Sequence, residues 1–194
     1  MTLLAEPIQV ALRVGAALDK LDIPWIVGGC VASSIHAVPR ATQDIDRVAE
    51  LRRVHTKALV IALEADFYID EDAIRDAVLH RASFNLVHLD TMTKVDIFVP
   101  KGDPLSAAQI RRRQFVQVGA TPEEALPVLS PEDVVLQKLR WYEAGQRISE
   151  RQWRDVLGVL KVRADALDEG YLRQQATDAD LGDLLQQALD DAKA

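Results

Sequence analysis

Apolar residues recur at helical spacing at the start of the chain, and short strand-like runs follow them. Residues 8–21 (IQVALRVGAALDKL) follow Pro7, which suits a first helical turn, and predict an amphipathic helix. The run PWIVGG, residues 24–29, predicts a short buried strand that ends in two glycines. CVASSIHAV then predicts a helix that stops before Pro39, and DIDRVAEL, residues 44–51, predicts a second strand.

The middle of the chain changes from helical to alternating patterns. Residues 51–67 (LRRVHTKALVIALEADF) predict a second amphipathic helix, and residues 72–80 predict a shorter one. SFNLVHLD, residues 83–90, and TKVDIFVP, residues 93–100, alternate polar and apolar positions around a turn, which predicts a β-hairpin. QFVQVG, residues 114–119, predicts a shorter strand before a proline-rich bend.

From residue 130 onward the pattern is helical. SPEDVVLQKLRWYEAG has Ser130 as the helix N-cap, Pro131 at the first helical position and Gly145 at the end. ERQWRDVLGVLKV predicts the next helix, and two short helices are expected to follow it. The sequence thus predicts an α+β protein, with an α/β core over residues 1–128 and a C-terminal helical region over residues 129–194.

Composition and charge narrow the class of protein. The chain has 194 residues, of which 48% are hydrophobic, as in an ordinary globular core. Its formal net charge of -7 argues against broad non-specific affinity for nucleic acid. No apolar run is long enough to cross a bilayer and the N-terminus lacks a signal-peptide pattern, so we expect a cytoplasmic protein without membrane association. The single cysteine, Cys30, excludes an intramolecular disulfide.

Two aspartates on the second predicted strand suggest a metal site. Asp44 and Asp46 flank Ile45, so their side chains are expected on one face of the strand, with carboxylates about 6 Å apart. A divalent cation is the simplest means of relieving their repulsion, and hard oxygen ligands favour Mg²⁺ or Mn²⁺. Asp96 lies in the strand pattern KVDIFV. If that strand neighbours the first, the three aspartates can hold two metal ions.

A glycine pair upstream extends this chemistry. Two carboxylate-bound metal ions suit phosphoryl or nucleotidyl transfer. Gly28 and Gly29 precede a predicted helix, and without side chains they allow backbone N–H groups to approach a triphosphate. The N-terminal end of the helix favours the same anion. Residues 27–47 are therefore predicted to bind phosphates at one end and metal at the other.

As a set, these motifs resemble the nucleotidyltransferase superfamily of the polymerase β type. The matching features are an apolar strand, Gly28-Gly29, a helix, Arg40-x-Thr42-x-Asp44-Ile45-Asp46, and a distant strand with Lys94-Val95-Asp96. SPEDVVLQKLRWYEAG and RQWRDVLGVLK also resemble C-terminal segments of small bacterial nucleotidyltransferase-like proteins, including relatives of the AbiEii toxins and minimal nucleotidyltransferases. The resemblance covers roughly residues 22–165.

The resemblance implies a polymerase β-like mixed sheet flanked by helices, followed by a helical bundle. It also implies metal-dependent transfer of a nucleoside monophosphate from an NTP to a hydroxyl acceptor, with release of pyrophosphate. A protein hydroxyl, the 3′ end of a tRNA and a small molecule such as an aminoglycoside stay open as acceptors. Mg²⁺ or Mn²⁺ is the implied cofactor. A toxin–antitoxin pair is an implied setting, with an antitoxin or a second copy of the chain as partner.

The same resemblance assigns roles to individual residues. It implies that Asp44, Asp46 and Asp96 are catalytic metal ligands, with Asp96 nearest the nucleophile. The implied nucleotide-binding residues are Gly28, Gly29, Ser33, Arg40, Thr42, Lys138 and Asp155.

Several of these residues have structural alternatives. Lys138 is a solvated lysine on a helix face in the simpler interpretation, and Asp155 pairs with Arg151 or Lys161 on its own helix. Ser33 can equally bond back to its own helix backbone.

The turn before the second strand and the residue after its second aspartate also have other interpretations. Arg40 and Thr42 can simply shape the turn. Arg47 departs from the superfamily pattern, which usually has an apolar residue there. It is expected to face away from the carboxylates, towards what should be a buried side, and to lie at a sheet edge or pair with an acid. A catalytically degenerate protein of the same fold that binds a nucleotide or a partner is therefore the alternative function.

Overall fold

The computed structural model describes residues 6–37 and 44–193, and the side chain of Asp44 lies outside that description. The chain divides into two compact units, Met1–Gly28 with Thr42–Val128 and Gly29–Ala41 with Leu129–Ala194. The division after Val128 coincides with the change from mixed to helical sequence. Residues 29–37, which contain the first helix after the glycine pair, belong to the second unit.

The strands all lie in the first unit. They are β1 (Trp25–Val27), β2 (Asp44–Ala49), β3 (Phe67–Tyr68), β4 (Ser83–His88), β5 (Lys94–Phe98), β6 (Gln114–Gln117) and β7 (Ala125–Val128). Among the described residues they form one mixed sheet in the order β3-β4-β5-β2-β1-β7-β6. The pairs β2–β5 and β1–β7 are parallel, and the other neighbouring pairs are antiparallel. β2 is therefore a central strand.

Helices occur in both units. They are α1 (Glu6–Lys20), α2 (Gly29–His36), α3 (Thr56–Leu63), α4 (Glu71–His80), α5 (Pro104–Arg111), α6 (Pro131–Ala144), α7 (Glu150–Arg163), α8 (Glu169–Asp178) and α9 (Gly182–Lys193). Single 3-10 turns lie at Arg53–His55, Pro122–Glu124 and Ala164–Ala166. Within residues 6–37 and 44–193, none of the helices combines the length and the apolar character that crossing a bilayer requires.

The core of the α/β unit lies on one face of the sheet. β4 and β5 alternate between buried and more exposed residues, as their sequence pattern predicts. Ile45, Val95 and Leu86 are register neighbours on β2, β5 and β4, and each is at most 1% exposed. Burial of this apolar face leaves the alternate positions, which include Asp46 and Asp96, on the opposite face.

The helical unit is built on α6 and α7. The hydroxyl of Ser130 accepts a hydrogen bond from the Asp133 N–H at 3.2 Å, and Pro131 begins the helix, so the predicted cap is confirmed. Apolar residues of α6 and α7, among them Leu139 and Val156, are fully buried. α2, α8 and α9 pack against this pair.

Three of the sequence predictions differ from the structure. The predicted helix over residues 51–67 is shorter, because α3 begins only at Thr56 after the turn at Arg53–His55. The proline-rich bend contains β7, a strand that pairs with β1 in parallel. α5, with Asp103 as its N-cap and Pro104 as its first residue, was not predicted.

Candidate functional site

The central strands bring Asp46 beside Asp96. These residues are register partners on the parallel strands β2 and β5, and Asp44 and Lys94 are partners two positions earlier in the same register. Neighbouring strands lie about 4.8 Å apart, so side chains on one face at paired positions meet. The predicted condition for a carboxylate cluster, that the two strands are neighbours, is confirmed.

The described side chains supply a pair of carboxylates for this cluster. Asp44 lies on β2 two residues before Asp46, but its side chain is outside the description. Among the side chains that are described, no group of three or more Asp, Glu, His or Cys residues is placed to hold a metal ion. The ligand set of three aspartates therefore stays a prediction. The oxygen donors of Asp46 and Asp96 are of the kind that Mg²⁺ and Mn²⁺ prefer.

A lysine contacts one of these carboxylates. The Lys94 ammonium lies 2.9 Å from Oδ1 of Asp96 and 3.0 Å from Oδ2. The Lys94 side chain is 44% exposed and that of Asp96 is 21% exposed. The Asp96 carboxylate thus holds the Lys94 ammonium with both oxygens. Sequence analysis gave Lys94 no role, although its position two residues before Asp96 on a strand places both on one face.

The glycine pair has hydrogen bonds of its own. The Gly28 N–H donates to the Asp46 carbonyl at 3.0 Å, which joins the end of β1 to β2 beside the carboxylates. The Gly29 N–H donates to Oε1 of Gln137 at 3.1 Å, and the φ of Gly29 is +56°, a conformation that glycine adopts easily. Both amides have protein acceptors, so the predicted contact with a triphosphate would replace these bonds. Gln137 is a contact that the sequence did not suggest.

Ser33 bonds to its own helix. Its hydroxyl lies 3.0 Å from the Gly29 carbonyl and 3.1 Å from the Cys30 carbonyl, and the residue is 3% exposed. Of the two interpretations made from the sequence, the structure shows the one in which the Ser33 hydroxyl bonds to the backbone of its own helix. Arg40 and Thr42 lie outside the described residues.

Lys138 and Asp155 form an ion pair inside the helical unit. The ammonium lies 2.8 Å from Oδ2 of Asp155, and the two side chains are 1% and 10% exposed. The interpretation of Lys138 as a solvated surface lysine was wrong, because α6 turns it into the interior. Asp155, on α7, forms its ion pair with a lysine of the neighbouring helix α6.

A cysteine adjoins this ion pair. Cys30 Sγ lies 4.0 Å from the Lys138 ammonium and 2.6 Å from Nη2 of Arg151, and Cys30 is buried. Two cationic groups therefore contact the thiol. Sequence spacing could not suggest this cluster, because its members come from α2, α6 and α7.

Arg47 lies on the opposite face of β2 from Asp46. It is fully buried on a central strand, so the expectation of a sheet edge was wrong. Its guanidinium lies 4.5 Å from the centre of the Trp25 ring and donates to the Ala11 carbonyl. Burial lowers the pKa of Arg47 to about 9, although the charge of Asp19 acts in the other direction.

Solved structures resemble this chain over most of its length. The solution structure of the antibiotic-resistance factor ANT(2″)-Ia has a TM-score of 0.54 and 15% identity, covering 94% of this chain and 98% of the other. An antigenic nucleotidyltransferase-like protein from Paracoccidioides brasiliensis has a TM-score of 0.54 and 19% identity, covering 97% and 94%. A Thermotoga maritima protein assigned as a nucleotidyltransferase has a TM-score of 0.50 and 16% identity, covering 77% and 93%.

These similarities concern the fold. No protein-family model matches the sequence, and no curated protein matches it. The mixed sheet and its structural neighbours confirm the predicted α+β nucleotidyltransferase fold.

Proposed function

We propose that this protein is a metal-dependent nucleotidyltransferase, which transfers a nucleoside monophosphate from an NTP to a hydroxyl acceptor and releases pyrophosphate. The observation that carries the proposal is the register pairing of Asp46 with Asp96 on the central parallel strands β2 and β5. Because carboxylates at paired strand positions repel each other, this arrangement favours a cation beside them.

The proposal gives each aspartate a role. Asp44, Asp46 and Asp96 would hold Mg²⁺ or Mn²⁺. The bound ions would make the attacking hydroxyl more acidic and neutralise charge on the phosphates. Asp96 is nearest the acceptor and can take its proton, while the acceptor oxygen bonds to the α-phosphorus and the bond from that phosphorus to the β-phosphate oxygen breaks.

Nucleotide binding is assigned to a larger set of residues. In the proposal, the backbone of Gly28 and Gly29 contacts the triphosphate, and Lys138 supplies positive charge to it. The remaining members of the set are Ser33, Arg40, Thr42 and Asp155. The toxin–antitoxin setting, with an antitoxin or a second copy of the chain as partner, stays a prediction.

One contact favours the alternative function, a degenerate protein that binds a nucleotide or a partner without turnover. The Lys94 ammonium engages both oxygens of Asp96, where an active enzyme would have a metal ion. Arg47, the earlier reason for this alternative, is no longer one, because it is buried on the other face of β2.

Transfer of radioactive label tests the proposal. The purified protein is incubated with Mg²⁺ or Mn²⁺ and each α-labelled NTP in turn, alone, with tRNA, and with an aminoglycoside. We expect label on one acceptor, and a loss of at least about 100-fold in Asp46→Asn and in Asp96→Asn, since each removes a metal-binding oxygen charge.

Asp90→Asn provides the matched control. Asp90 is an exposed aspartate in the turn between β4 and β5, so its substitution removes the same charge from the same unit. This variant is expected to transfer label at the wild-type rate. Absence of transfer under all conditions, together with metal-dependent NTP binding by calorimetry, would favour the binding protein.

A further inference from the structure

Four charged residues occupy two pairs of the β2–β5 register, with the apolar pair Ile45 and Val95 between them. Asp44 pairs with Lys94, and Asp46 pairs with Asp96. The set thus contains three acidic residues and one basic residue within one ladder. On β5, Lys94 and Asp96 lie on the same face because they are two residues apart.

The ammonium in this set occupies the carboxylate that the proposed reaction needs. The Lys94 ammonium lies within 3.0 Å of both oxygens of Asp96. A divalent cation on Asp96 requires at least one of those oxygens. A divalent cation on one of those oxygens would lie beside the ammonium, and the two positive charges repel each other more strongly as their separation falls.

We infer that Lys94 is a tethered cation that competes with the divalent metal ion for Asp96. The inference rests on the proposed function, since it concerns the metal site of that reaction. Lys94 neutralises Asp96 while no metal is bound, and it leaves the carboxylate when metal binds.

The partial exposure of the Lys94 side chain supports exchange of its ammonium for a metal ion on Asp96. The Lys94 side chain is 44% exposed, so its ammonium can move into solvent on a flexible stem. The Asp96 carboxylate is 21% exposed, so it is held more firmly by β5. A pair that is partly exposed on the lysine side costs less to separate than a buried pair.

Mn²⁺ titration of the whole protein without nucleotide tests the inference. Binding is followed by calorimetry and by the electron paramagnetic resonance signal of free Mn²⁺. Lys94→Met is expected to bind Mn²⁺ about 10-fold more tightly than the wild type, because the competing charge is gone. Lys94→Arg, which keeps the charge, is expected to bind Mn²⁺ no more tightly than the wild type.

Three further variants control the experiment. Lys57→Met removes one positive charge from an exposed position on α3, and it should leave Mn²⁺ affinity unchanged. Asp96→Asn in the Lys94→Met background should abolish the gain in affinity. Lys94→Gln takes the place of Lys94→Met if the methionine variant does not fold.

The outcomes separate the inference from the proposed function. Equal Mn²⁺ affinity in the wild type and the neutral Lys94 variants overturns the inference, and so does the absence of Mn²⁺ binding in all of them. Tighter Mn²⁺ binding in the neutral variants supports it. If that result comes with no label transfer by the wild type, the inference stands and the proposed function fails.

Discussion

The guanidinium of Arg47 lies 4.5 Å from the centre of the Trp25 ring, on the face of β2 opposite Asp46. Trp25 is held in turn by its indole N–H, which donates to Asp19 at 2.7 Å. Nε and Nη1 of Arg47 are buried and have no hydrogen-bond partner. The cost of burying the Arg47 guanidinium is thus offset by one hydrogen bond, to the Ala11 carbonyl, and by a cation–π contact with the Trp25 ring.

Arg47→Met is expected to leave the free energy of unfolding unchanged or to raise it by up to about 2 kcal/mol, because an apolar side chain removes two unsatisfied buried donors. Urea unfolding measures the change. Arg47→Ala, which leaves a cavity, should instead lower the free energy of unfolding by about 2–4 kcal/mol. Label transfer should persist in Arg47→Met, and its loss would contradict a purely structural role.

The stability difference between the wild type and Arg47→Met should depend on alkaline pH. Burial lowers the pKa of Arg47 to about 9 in the folded protein, well below the ordinary value of an arginine side chain. Above that folded pKa the native protein releases a proton that the unfolded chain retains. Wild-type stability therefore rises with pH relative to Arg47→Met, and the advantage of the variant should shrink from about pH 8 to about pH 10.5 in urea unfolding. A constant difference would contradict this.

His36 should contribute to a loss of stability in acid. Burial lowers its pKa, and the nearby Arg163 acts in the same direction, while the Leu129 carbonyl and Glu132 oppose the shift. As pH falls below about 6.5, the unfolded chain takes up a proton that the folded ring resists, so stability is lost until the lowered folded pKa is passed.

His36→Gln keeps a donor for the Leu129 carbonyl, which the ring nitrogen Nε2 contacts at 2.6 Å, but it does not titrate. We expect its free energy of unfolding to fall less than that of the wild type between about pH 7 and pH 5. Parallel pH profiles for wild type and His36→Gln would exclude the explanation.

Lys138→Met should lower the free energy of unfolding by about 3–5 kcal/mol, because it leaves the Asp155 carboxylate buried without the partner it has at 2.8 Å. The double variant Lys138→Met with Asp155→Leu should lower the free energy of unfolding much less than Lys138→Met alone. Urea unfolding of the two single variants and the double variant measures the coupling. Lys161→Met, at an exposed position of α7, should be close to neutral.

The same double variant separates the two roles of Lys138. If Lys138 also binds phosphate, the folded double variant should lose NTP affinity, measured by calorimetry. Wild-type NTP affinity in that variant would leave the ion pair as a structural feature only.

Local signals predicted most of the elements. The Ser130 cap and the alternation over residues 83–98 each depend on neighbours a few positions away, and both are confirmed. β7 was missed because Pro127 and the prolines around it suggest a bend, while its pairing with β1 joins residues about a hundred positions apart. Short strands formed by distant pairing carry little signal of their own.

The candidate site divides in the same way. The spacing of Asp44 and Asp46 and the pattern around Asp96 indicated a carboxylate cluster on the condition that their strands are neighbours, and β2 does pair with β5. The alternation of side chains along β5 places Lys94 and Asp96 on one face, but their contact was not predicted from the sequence. The contacts of Cys30 with Arg151 and Lys138 depend on how three helices pack, which no spacing in the sequence encodes.

A pair of helix glycines should respond in opposite ways to alanine. At Gly15 in α1, an added Cβ would lie 2.5 Å and 2.7 Å from ring carbons of Trp25. At Gly158 in α7, among the residues that the structure describes, it would meet the Cβ of Ala37 alone, at 3.5 Å. Alanine favours a helix by about 1 kcal/mol over glycine, so Gly158→Ala should raise the free energy of unfolding by up to that amount.

Gly15→Ala should instead lower the free energy of unfolding by about 1–3 kcal/mol, since the indole that supports Arg47 must move. Thermal and urea unfolding check both signs. Trp25→Phe removes the ring carbons Cζ2 and Cη2, so Gly15→Ala should cost less in that background than in the wild type. Equal costs in the two backgrounds would mean that the close approach of α1 to Trp25 is not what keeps residue 15 a glycine.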